Sequence, residues 1–152
     1  MNLFGMLELS ASGLRAERQR AQIVAANMAN AETTRTAEGG PYRRQLAIFH
    51  ARRPAQAFPM LLAAGGGLPS MGEMVAVRGV EVERVVGDGR PPLMRYQPGH
   101  PDADAQGMVS YPSVNPVEEM TDLLAAARAY ELNASAAQAA KQMITQSLDL
   151  LR

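Results

Sequence analysis

The chain has 152 residues with 15 basic and 15 acidic side chains, so its formal net charge is zero, and 47% of its residues are hydrophobic. This composition predicts a globular protein of one ordinary domain, or a small domain with extensions, and gives no basis for binding nucleic acid or an acidic membrane surface. Cysteine is absent, which excludes disulfides, thiolate zinc sites and a cysteine nucleophile.

An N-terminal helix is predicted from about Leu3 to Asn30, because its apolar residues recur at alternating steps of three and four. These residues are Leu3, Leu7, Ala11, Leu14, Ala21, Ala25 and Met28, with Arg18 as the one polar member of the series. Gly5 and Gly13 each weaken the helix by about 1 kcal/mol relative to Ala, so we expect it to be marginal alone. Asn27 and Asn30 share one helical face at its end, where Asn side chains predict a C-cap and a turn.

The first residues contain no basic segment followed by an unbroken apolar run, and no stretch approaches about 20 apolar residues. We therefore expect neither a cleaved Sec-type signal peptide nor a transmembrane helix.

The middle of the chain predicts short strands joined by turns and one long connection. Strands are expected at 42–50, 73–87, 93–97 and 108–111, turns at 87–90 and 98–101, and a long connection at 51–72. The valine alternation changes phase at Gly79, which predicts a bulge there or a turn between two shorter strands.

A C-terminal helix of about 36 residues, about 54 Å long, is predicted from Val117 to Arg152. Asn115 can cap it, Pro116 suits its first position, and Glu118 stands three residues after the cap. Glu118 and Glu119 lie in the first turn, where the helix dipole favours acids. A heptad series runs through it, which we call the predicted seam: Met120, Leu123, Ala127, Tyr130, Ala134, Ala137, Lys141, Ile144, Leu148 and Leu151.

Together these elements predict an α+β fold in which long N- and C-terminal helices pair as a coiled-coil-like bundle around a small β-rich middle domain. The expected divisions are 1–33 for the N-terminal helix, 34–112 for the middle domain with its loop at 51–72, and 113–152 for the C-terminal helix. Alanine buries little area, so the predicted seam needs a close partner. That partner is either the other helix, in a self-contained hairpin, or the helices of other subunits.

No catalytic, metal-binding or cofactor-binding site is predicted. His50 and His100 are isolated, and no Gly-x-Ser-x-Gly motif frames a nucleophile. The acidic run that begins at Asp102 starts like a calcium loop, but its twelfth position is Ser113 instead of Glu. We therefore expect no enzyme activity, no cofactor and no small-molecule substrate.

Two groups of residues resemble a known family. Asn27-Met28-Ala29-Asn30 with Thr33 resembles the N-terminal signature of the flagellar rod, hook and hook-associated axial proteins. The segment Tyr96-Gln97-Pro98-Gly99-His100-Pro101, with later residues up to the C-terminal helix, is similar to proximal rod proteins of the bacterial flagellar basal body. The motif residues are Asn27, Asn30, Thr33, Pro98, Gly99, Pro101, Asp104, Gly107, Pro112 and Glu119. The resemblance covers residues 2–50 and 93–152 and fails over 51–72; Glu32 and Ser113 depart from the family pattern.

The resemblance implies a structural subunit that polymerises through its terminal helices into the torque-transmitting axial tube. Its implied partners are further copies of itself, other rod proteins, membrane-ring and rod-junction proteins, and the flagellar type III export apparatus. It implies a location in the rod that crosses the periplasm, export without a cleaved signal peptide, and terminal helices that are poorly ordered in the free subunit.

Our hypothesis assigns the subunit contacts to residues of both helices. These are Leu3, Leu7, Leu14, Met28, Met120, Leu123, Ala127, Tyr130, Ala134, Ile144 and Leu148. Asn27 and Asn30 would fix the turn that sets the angle between the helices and the β-rich part. The alternatives are another type of proximal rod subunit, or a secreted helical adaptor or coiled-coil binding module.

Overall fold

The computed structural model of the chain describes residues 3–52 and 79–149, and for Leu3 the backbone only. Most of the predicted connection at 51–72, the first part of the strand predicted at 73–87, and Leu151 of the predicted seam lie outside these residues. The described elements are α1 (Leu3–Ala29), β1 (Gln45–Ala51), β2 (Val80–Gly87), β3 (Leu93–Tyr96), β4 (Met108–Tyr111) and α2 (Pro116–Asp149). The described part of the chain is therefore α+β, as predicted.

The start of α2 follows from the residues that cap it. The backbone N–H of Val117 donates to Oδ1 of Asn115 over 3.1 Å, and Nδ2 of Asn115 donates to Oε1 of Glu118 over 3.2 Å. Pro116 occupies the first helical position, where a missing N–H leaves no hydrogen bond unmade. The predicted start of the C-terminal helix is confirmed.

The two helices pack side by side and run antiparallel. Contacts join Asn27 to Glu119 and Arg20 to Asp122, while Gly13 lies against Asn133. A Cβ atom at Gly13 would lie 2.7 Å from Oδ1 of Asn133, so the helices approach closely because this residue has no side chain. The ends of the chain pair as expected, whereas coiled-coil packing remains a prediction.

Small and polar side chains make up most of the buried surface of the helices. In α1 the buried residues include Ala16 and Ile23, and in α2 they are Glu119, Ala126 and Ala140. Because small side chains remove little apolar surface from water, the helix pair gains little stability from burial and needs additional contacts to hold it in place.

In residues 3–52 and 79–149 the strands form two two-stranded antiparallel sheets. Strand β1 pairs with β2 from Gln45 opposite Gly87 to Ala51 opposite Val80, and β3 pairs with β4 from Leu93 opposite Tyr111 to Tyr96 opposite Met108. Strands β2, β3 and β4 lie within the predicted stretches, and β1 ends one residue beyond its predicted stretch of 42–50. The pattern therefore located the strands but not their division into two sheets.

The register of the first sheet shifts between Ile48 and Phe49, which leaves Glu83 of β2 as the extra residue. The described part of the sheet therefore has a bulge at Glu83, and the residues before Gly79, on which the bulge or turn predicted at Gly79 depends, lie outside the described residues. Gly79 is buried with φ +140°, and a Cβ atom there would collide with the side chain of Ser12. The valine phase shift at Gly79 thus coincides with a close approach of the chain to α1.

Candidate functional site: a polar clasp at the junction of helices and sheet

A group of polar side chains joins three elements that are distant in sequence. We call Asn27 of α1, Tyr42 and Arg44 of the segment before β1, and Glu119 and Asp122 of α2 the polar clasp. Asn27 is 1% exposed and Glu119 is fully buried, while Tyr42, Arg44 and Asp122 are half-buried, so the centre of the clasp lies inside the molecule and its rim reaches the surface. Buried polar groups destabilise a fold unless they are paired, which makes their geometry decisive.

Asn27 uses all of its hydrogen-bonding capacity in the polar clasp. Its Nδ2 donates to the carbonyl oxygen of Gln45 and to Oε2 of Glu119, both over 2.9 Å. Its Oδ1 accepts from the backbone N–H of Gln45 over 2.8 Å and from the hydroxyl of Tyr42 over 3.0 Å. The carboxamide therefore pairs with both backbone groups of Gln45, as a neighbouring strand would, and occupies the outer edge of β1 at this point.

Glu119 holds the charged half of the polar clasp. Its Oε1 accepts a hydrogen bond of 2.5 Å from Nε of Arg44, whose side chain is 14% exposed. A second nitrogen of Arg44 lies 3.3 Å from Asp122, and Arg20 of α1 lies at the same distance from the other oxygen of Asp122. A chain of alternating charges thus connects the segment before β1 to both helices.

Two pKa shifts follow from this arrangement. Burial alone would lower the pKa of Arg44, but the hydrogen bond and the negative charge of Glu119 outweigh it, and the pKa is raised above its ordinary value. Burial, followed by the negative charge of Glu119, raises the pKa of Tyr42 above its ordinary value. Arg44 therefore stays charged and Tyr42 stays a donor over the whole physiological pH range.

Asn30 and Thr33 form the turn that follows α1. The side-chain amide of Asn30 donates to the carbonyl of Ala26 over 2.9 Å, and the hydroxyl of Thr33 donates to Oδ1 of Asn30 over 3.2 Å. The carbonyl of Thr33 accepts from the N–H of Tyr42 over 3.0 Å, which positions that side chain beside Asn27. Asn30 thus acts at the helix end, whereas Asn27 acts on the sheet.

The second motif forms the connection between β3 and β4. Oδ1 of Asp104 accepts from the backbone N–H groups of Gln106 and Met108, each over 2.8 Å. Gly107 has φ +76°, and a Cβ atom there would lie 2.9 Å from the ring of Tyr96. These contacts explain why the connection needs an aspartate and a glycine at these two positions.

The remaining motif residues divide between surface and interior. Pro98, Gly99 and Pro101 are exposed in the turn, while Pro112 is almost completely buried after β4. Next to Pro101, Asp102 accepts from the hydroxyl of Thr34 over 2.8 Å, which ties this turn to the loop after α1. Residues adjacent to the two motifs are therefore in contact, although Thr34 and Asp102 are 68 positions apart in the sequence.

The residues predicted to form subunit contacts are spread over the helices. Met120, Ala127, Tyr130 and Leu148 are exposed, and six others are half-buried: Leu7, Leu14, Met28, Leu123, Ala134 and Ile144. The side chain of Leu3 lies outside the described part. Their role in contacts between subunits stays a prediction.

Sequence reasoning missed two features of the site. The helix dipole accounted for Glu119 on its own, so its pairing with Arg44 and Asn27 was not foreseen. The available signal was the spacing of Gly13, Arg20 and Asn27, which recur every seven residues and therefore share one face of α1. The exposed side chains of Val117, Leu124 and Leu132 were also missed, because they lie outside the predicted seam.

Over residues 3–52 and 79–149 the structure shows no group of three or more His, Cys, Asp or Glu side chains that could hold a metal ion. None of the helices in the same ranges is long and apolar enough to cross a membrane.

Comparison with known proteins gives a consistent result. The family model described as "Flagellar basal body rod FlgEFG protein C-terminal" matches residues 105–150. The chain is 37% identical to the flagellar basal-body rod protein FlgC of Borreliella burgdorferi, over 100% of this chain and 99% of that protein. It is 35% identical to FlgC of Bacillus subtilis, over 99% of both chains, and 31% identical to FlgC of Salmonella typhimurium, over 99% of this chain and 98% of that protein.

Proposed function

Because the chain belongs to the family of the flagellar basal-body rod protein FlgC and is a structural rod subunit, we propose that it polymerises through its terminal helices into the proximal rod. The proposal also states which surfaces contact neighbouring subunits and which group of residues holds these surfaces in position. The polar clasp fixes the helices to the β-rich part, and the helices carry the contacts with neighbouring subunits.

The observation that carries the proposal is a set of large apolar side chains on α2 that the described part of the chain leaves exposed. Val117 is 72% exposed, Leu124 is 54% exposed and Leu132 is 72% exposed, and Met120 lies beside them at 57%. Val117 stands two positions before the buried Glu119, which corresponds to a rotation of about 200° around a helix. The exposed face is therefore on the opposite side of α2 from the one that packs on α1.

Exposed apolar patches of this kind mark interaction sites in soluble proteins. A subunit of a polymer needs contacts on more than one side, because head-to-tail contacts build rings or helical filaments. A hairpin that uses one face of α2 for α1 and leaves large apolar side chains exposed on the other face meets this requirement. The predicted seam residues Tyr130 and Leu148 add further exposed apolar area to the same helix.

The polar clasp has the second role in the proposal, which is to set the angle between the helices and the first sheet. Three elements meet in it, so a change in the angle would break hydrogen bonds of buried groups. Leaving such groups unpaired costs about 1–3 kcal/mol each, and more where they are charged. The clasp therefore resists bending between the helices and the β-rich part, as a torque-transmitting subunit requires.

The further partners in the proposal are other rod proteins, the membrane-ring and rod-junction proteins, and the flagellar type III export apparatus. The proposed location is the rod where it crosses the periplasm, reached without a cleaved signal peptide. The absence of cysteine from the chain suits assembly in an oxidising compartment. The protein acts by binding and positioning and has no catalytic role in this account.

Deletion of the gene in its own bacterium tests the proposal. Basal bodies from the deletion strain should lack the rod beyond the membrane ring, and cells should be non-motile until the gene is restored. Restored strains should contain the chain in detergent-washed basal bodies. Motile deletion cells with complete basal bodies would show that the chain is not a required rod subunit.

A further inference from the structure

Ser12 of α1 makes a second polar contact between the helices and the first sheet. Its side chain is 2% exposed, and its hydroxyl donates to the carbonyl oxygen of Leu9 over 2.7 Å. The same oxygen accepts from the backbone N–H of Val80, the first residue of β2, over 3.1 Å. Because a serine hydroxyl has one proton, its donation within the helix leaves the lone pairs of the oxygen for the strand.

The chain before Val80 is shaped to reach Ser12. Gly79 has φ +140° and lies so close to the side chain of Ser12 that a Cβ atom at this position would collide with it. The carbonyl of Gly79 accepts from the backbone N–H of Arg52 over 2.9 Å, so the two strands are joined at this end of the sheet. The contact with Ser12 therefore holds an end of the first sheet and not an isolated loop.

Ser12 and Asn27 hold opposite ends of the first sheet. Asn27 binds both backbone groups of Gln45, where β1 begins, whereas Val80 pairs with Ala51, where β1 ends. The fifteen positions from Ser12 to Asn27 span about 22 Å of helix and a rotation of about 60°, so the two side chains share one face of α1. The strand from Gln45 to Ala51 spans about 20 Å, which matches that separation.

Two attachments restrict the sheet in a way that one cannot. A two-stranded sheet is at best marginally stable alone, so its orientation depends on what holds it. With the polar clasp as the single attachment, the opposite end of the sheet could swing about it. A hydrogen bond tolerates a change of about 0.5 Å in its length, which corresponds to a rotation of about 1–2° over a lever of about 20 Å.

We propose that Ser12 is a second positioning residue, which together with the polar clasp holds both ends of the first sheet on α1 and so fixes the orientation of the sheet relative to the helices. The inference rests on the proposed function, since it takes a fixed orientation to be what a torque-transmitting subunit needs. It gives Ser12 a long-range role in addition to its hydrogen bond within the helix.

Distances between two spin labels in the same chain test the proposal. One label is attached to α1 through Gln22→Cys. The other is attached to the first sheet, either through Glu81→Cys near Ser12 or through Val85→Cys nearer to the polar clasp; all three side chains are exposed. Labelled chains are expressed with an excess of unlabelled chain, so that labelled copies are far apart, and the distances are measured in isolated basal bodies.

Both distance distributions should be narrow when Ser12 is unchanged. In Ser12→Ala the distribution between positions 22 and 81 should become at least about twofold wider, because that end of the sheet loses its attachment. The distribution between positions 22 and 85 should keep its width, since the polar clasp still holds the other end. Ser12→Thr keeps the hydroxyl and should restore the narrow distribution.

Ser147→Ala is the matched control, because the hydroxyl of Ser147 donates to the carbonyl of Met143 within its own helix. It should change neither distribution. Equal widths with and without the Ser12 hydroxyl would overturn the proposal. Widening at both positions in Ser12→Ala, or widening that Ser12→Thr does not reverse, would overturn it as well, because the substitution would then act on the fold as a whole or through side-chain shape.

The entry of the variants into basal bodies is also informative. If Ser12→Ala is absent from basal bodies and Ser12→Thr is present, the hydroxyl is required and the proposal is supported. If both are absent while Ser147→Ala is present, the proposal is overturned. If the chain with Ser12 unchanged is itself absent, the proposed function fails, and the same distances in the purified chain decide the attachment of the sheet separately.

Discussion

Asn27 makes more polar contacts than a helix-end residue needs, and its carboxamide is placed between a backbone edge and a carboxylate. Its Nδ2 is the group that faces both the carbonyl of Gln45 and Oε2 of Glu119. An Asn at this position provides a donor and an acceptor at opposite ends of one rigid group, which neither Asp nor Ser can do. The stability of the junction therefore depends on this amide nitrogen.

Asn27→Asp replaces the side-chain amide group Nδ2 with an oxygen atom and leaves the shape of the side chain unchanged. The introduced carboxylate would face the carboxylate of Glu119 in a buried site, so we expect a loss of about 3 kcal/mol or more in the free energy of unfolding. Urea unfolding of the purified chain measures it. Gln22→Glu is the matched control on the exposed side of α1, and should change stability by less than about 0.5 kcal/mol. Equal stability of both variants would contradict the assigned role of the amide.

Tyr42 gives the polar clasp a dependence on alkaline pH. Its pKa is raised in the folded state, so the folded protein keeps the phenolic proton after the unfolded chain has lost it. The stabilisation is fully present below the ordinary tyrosine pKa and is lost as the pH rises through the folded-state pKa. Between pH 8 and pH 11, the free energy of unfolding should therefore fall more steeply with pH in the wild type than in Tyr42→Phe. Parallel curves would show that this hydroxyl does not contribute.

Gly107 is the second position where one residue type is required. Gly107→Ala would combine a positive φ with a Cβ atom 2.9 Å from the ring of Tyr96, and we expect it to cost about 1–3 kcal/mol. Gly99 lies in the same connection and has no atom within 4 Å of its Cβ position. In thermal unfolding, the melting temperature of Gly107→Ala should be clearly below that of the wild type, whereas the melting temperature of Gly99→Ala should not. A similar decrease for both would mean that the turn does not depend on the left-handed residue.

At the level of elements, the sequence was most informative where the deciding contacts are local. Asn115, Pro116 and Glu118 determine the start of α2 among themselves, and the strands follow the alternation of their own residues. The bulge at Glu83 was missed because its position depends on the pairing of β1 with β2 and not on either strand alone. The division into two sheets is likewise a matter of pairing.

Helix α2 uses two faces, and single substitutions can separate their roles. Leu132 is 72% exposed, so Leu132→Asp should leave the stability of the free subunit within about 0.5 kcal/mol of the wild type and still abolish rod assembly. Leu123 is half-buried, so Leu123→Asp should cost several kcal/mol, leave the protein soluble and also prevent assembly.

Motility on soft agar and rod content of basal bodies measure the assembly of both variants. Leu93→Asp is the matched control, because Leu93 is an exposed leucine that lies in β3 and not in a helix. It should support normal motility. If Leu132→Asp cells swim as well as the control, the exposed face of α2 is not a subunit contact.

For the whole molecule, the sequence predicted the class of fold and the pairing of the terminal helices but not the clasp that joins them to the sheet. Asn27 and Glu119 are 92 residues apart, and Arg44 and Glu119 are 75 apart. Asn27 and Glu119 each have a sufficient local explanation, at a helix end and in the first turn of a helix, so nothing in the local pattern required a long-range contact. Asn27 and Glu119 were among the residues selected by the family resemblance, whereas the roles of Arg44 and Asp122 became clear only from the structure.

The central claim is that the outer face of α2 is free in the subunit and covered in the rod. The chain has no cysteine, so Leu124→Cys and Leu132→Cys each introduce a single reactive thiol on this face. The rate at which each thiol reacts with a maleimide measures how accessible the face is. Both should react rapidly in the free subunit and at least about tenfold more slowly in isolated basal bodies, as expected for residues at a packed interface. Glu83→Cys, at the exposed bulge of β2, should react at similar rates in both. Equal reactivity of Leu124→Cys and Leu132→Cys in the free and assembled states would contradict the account.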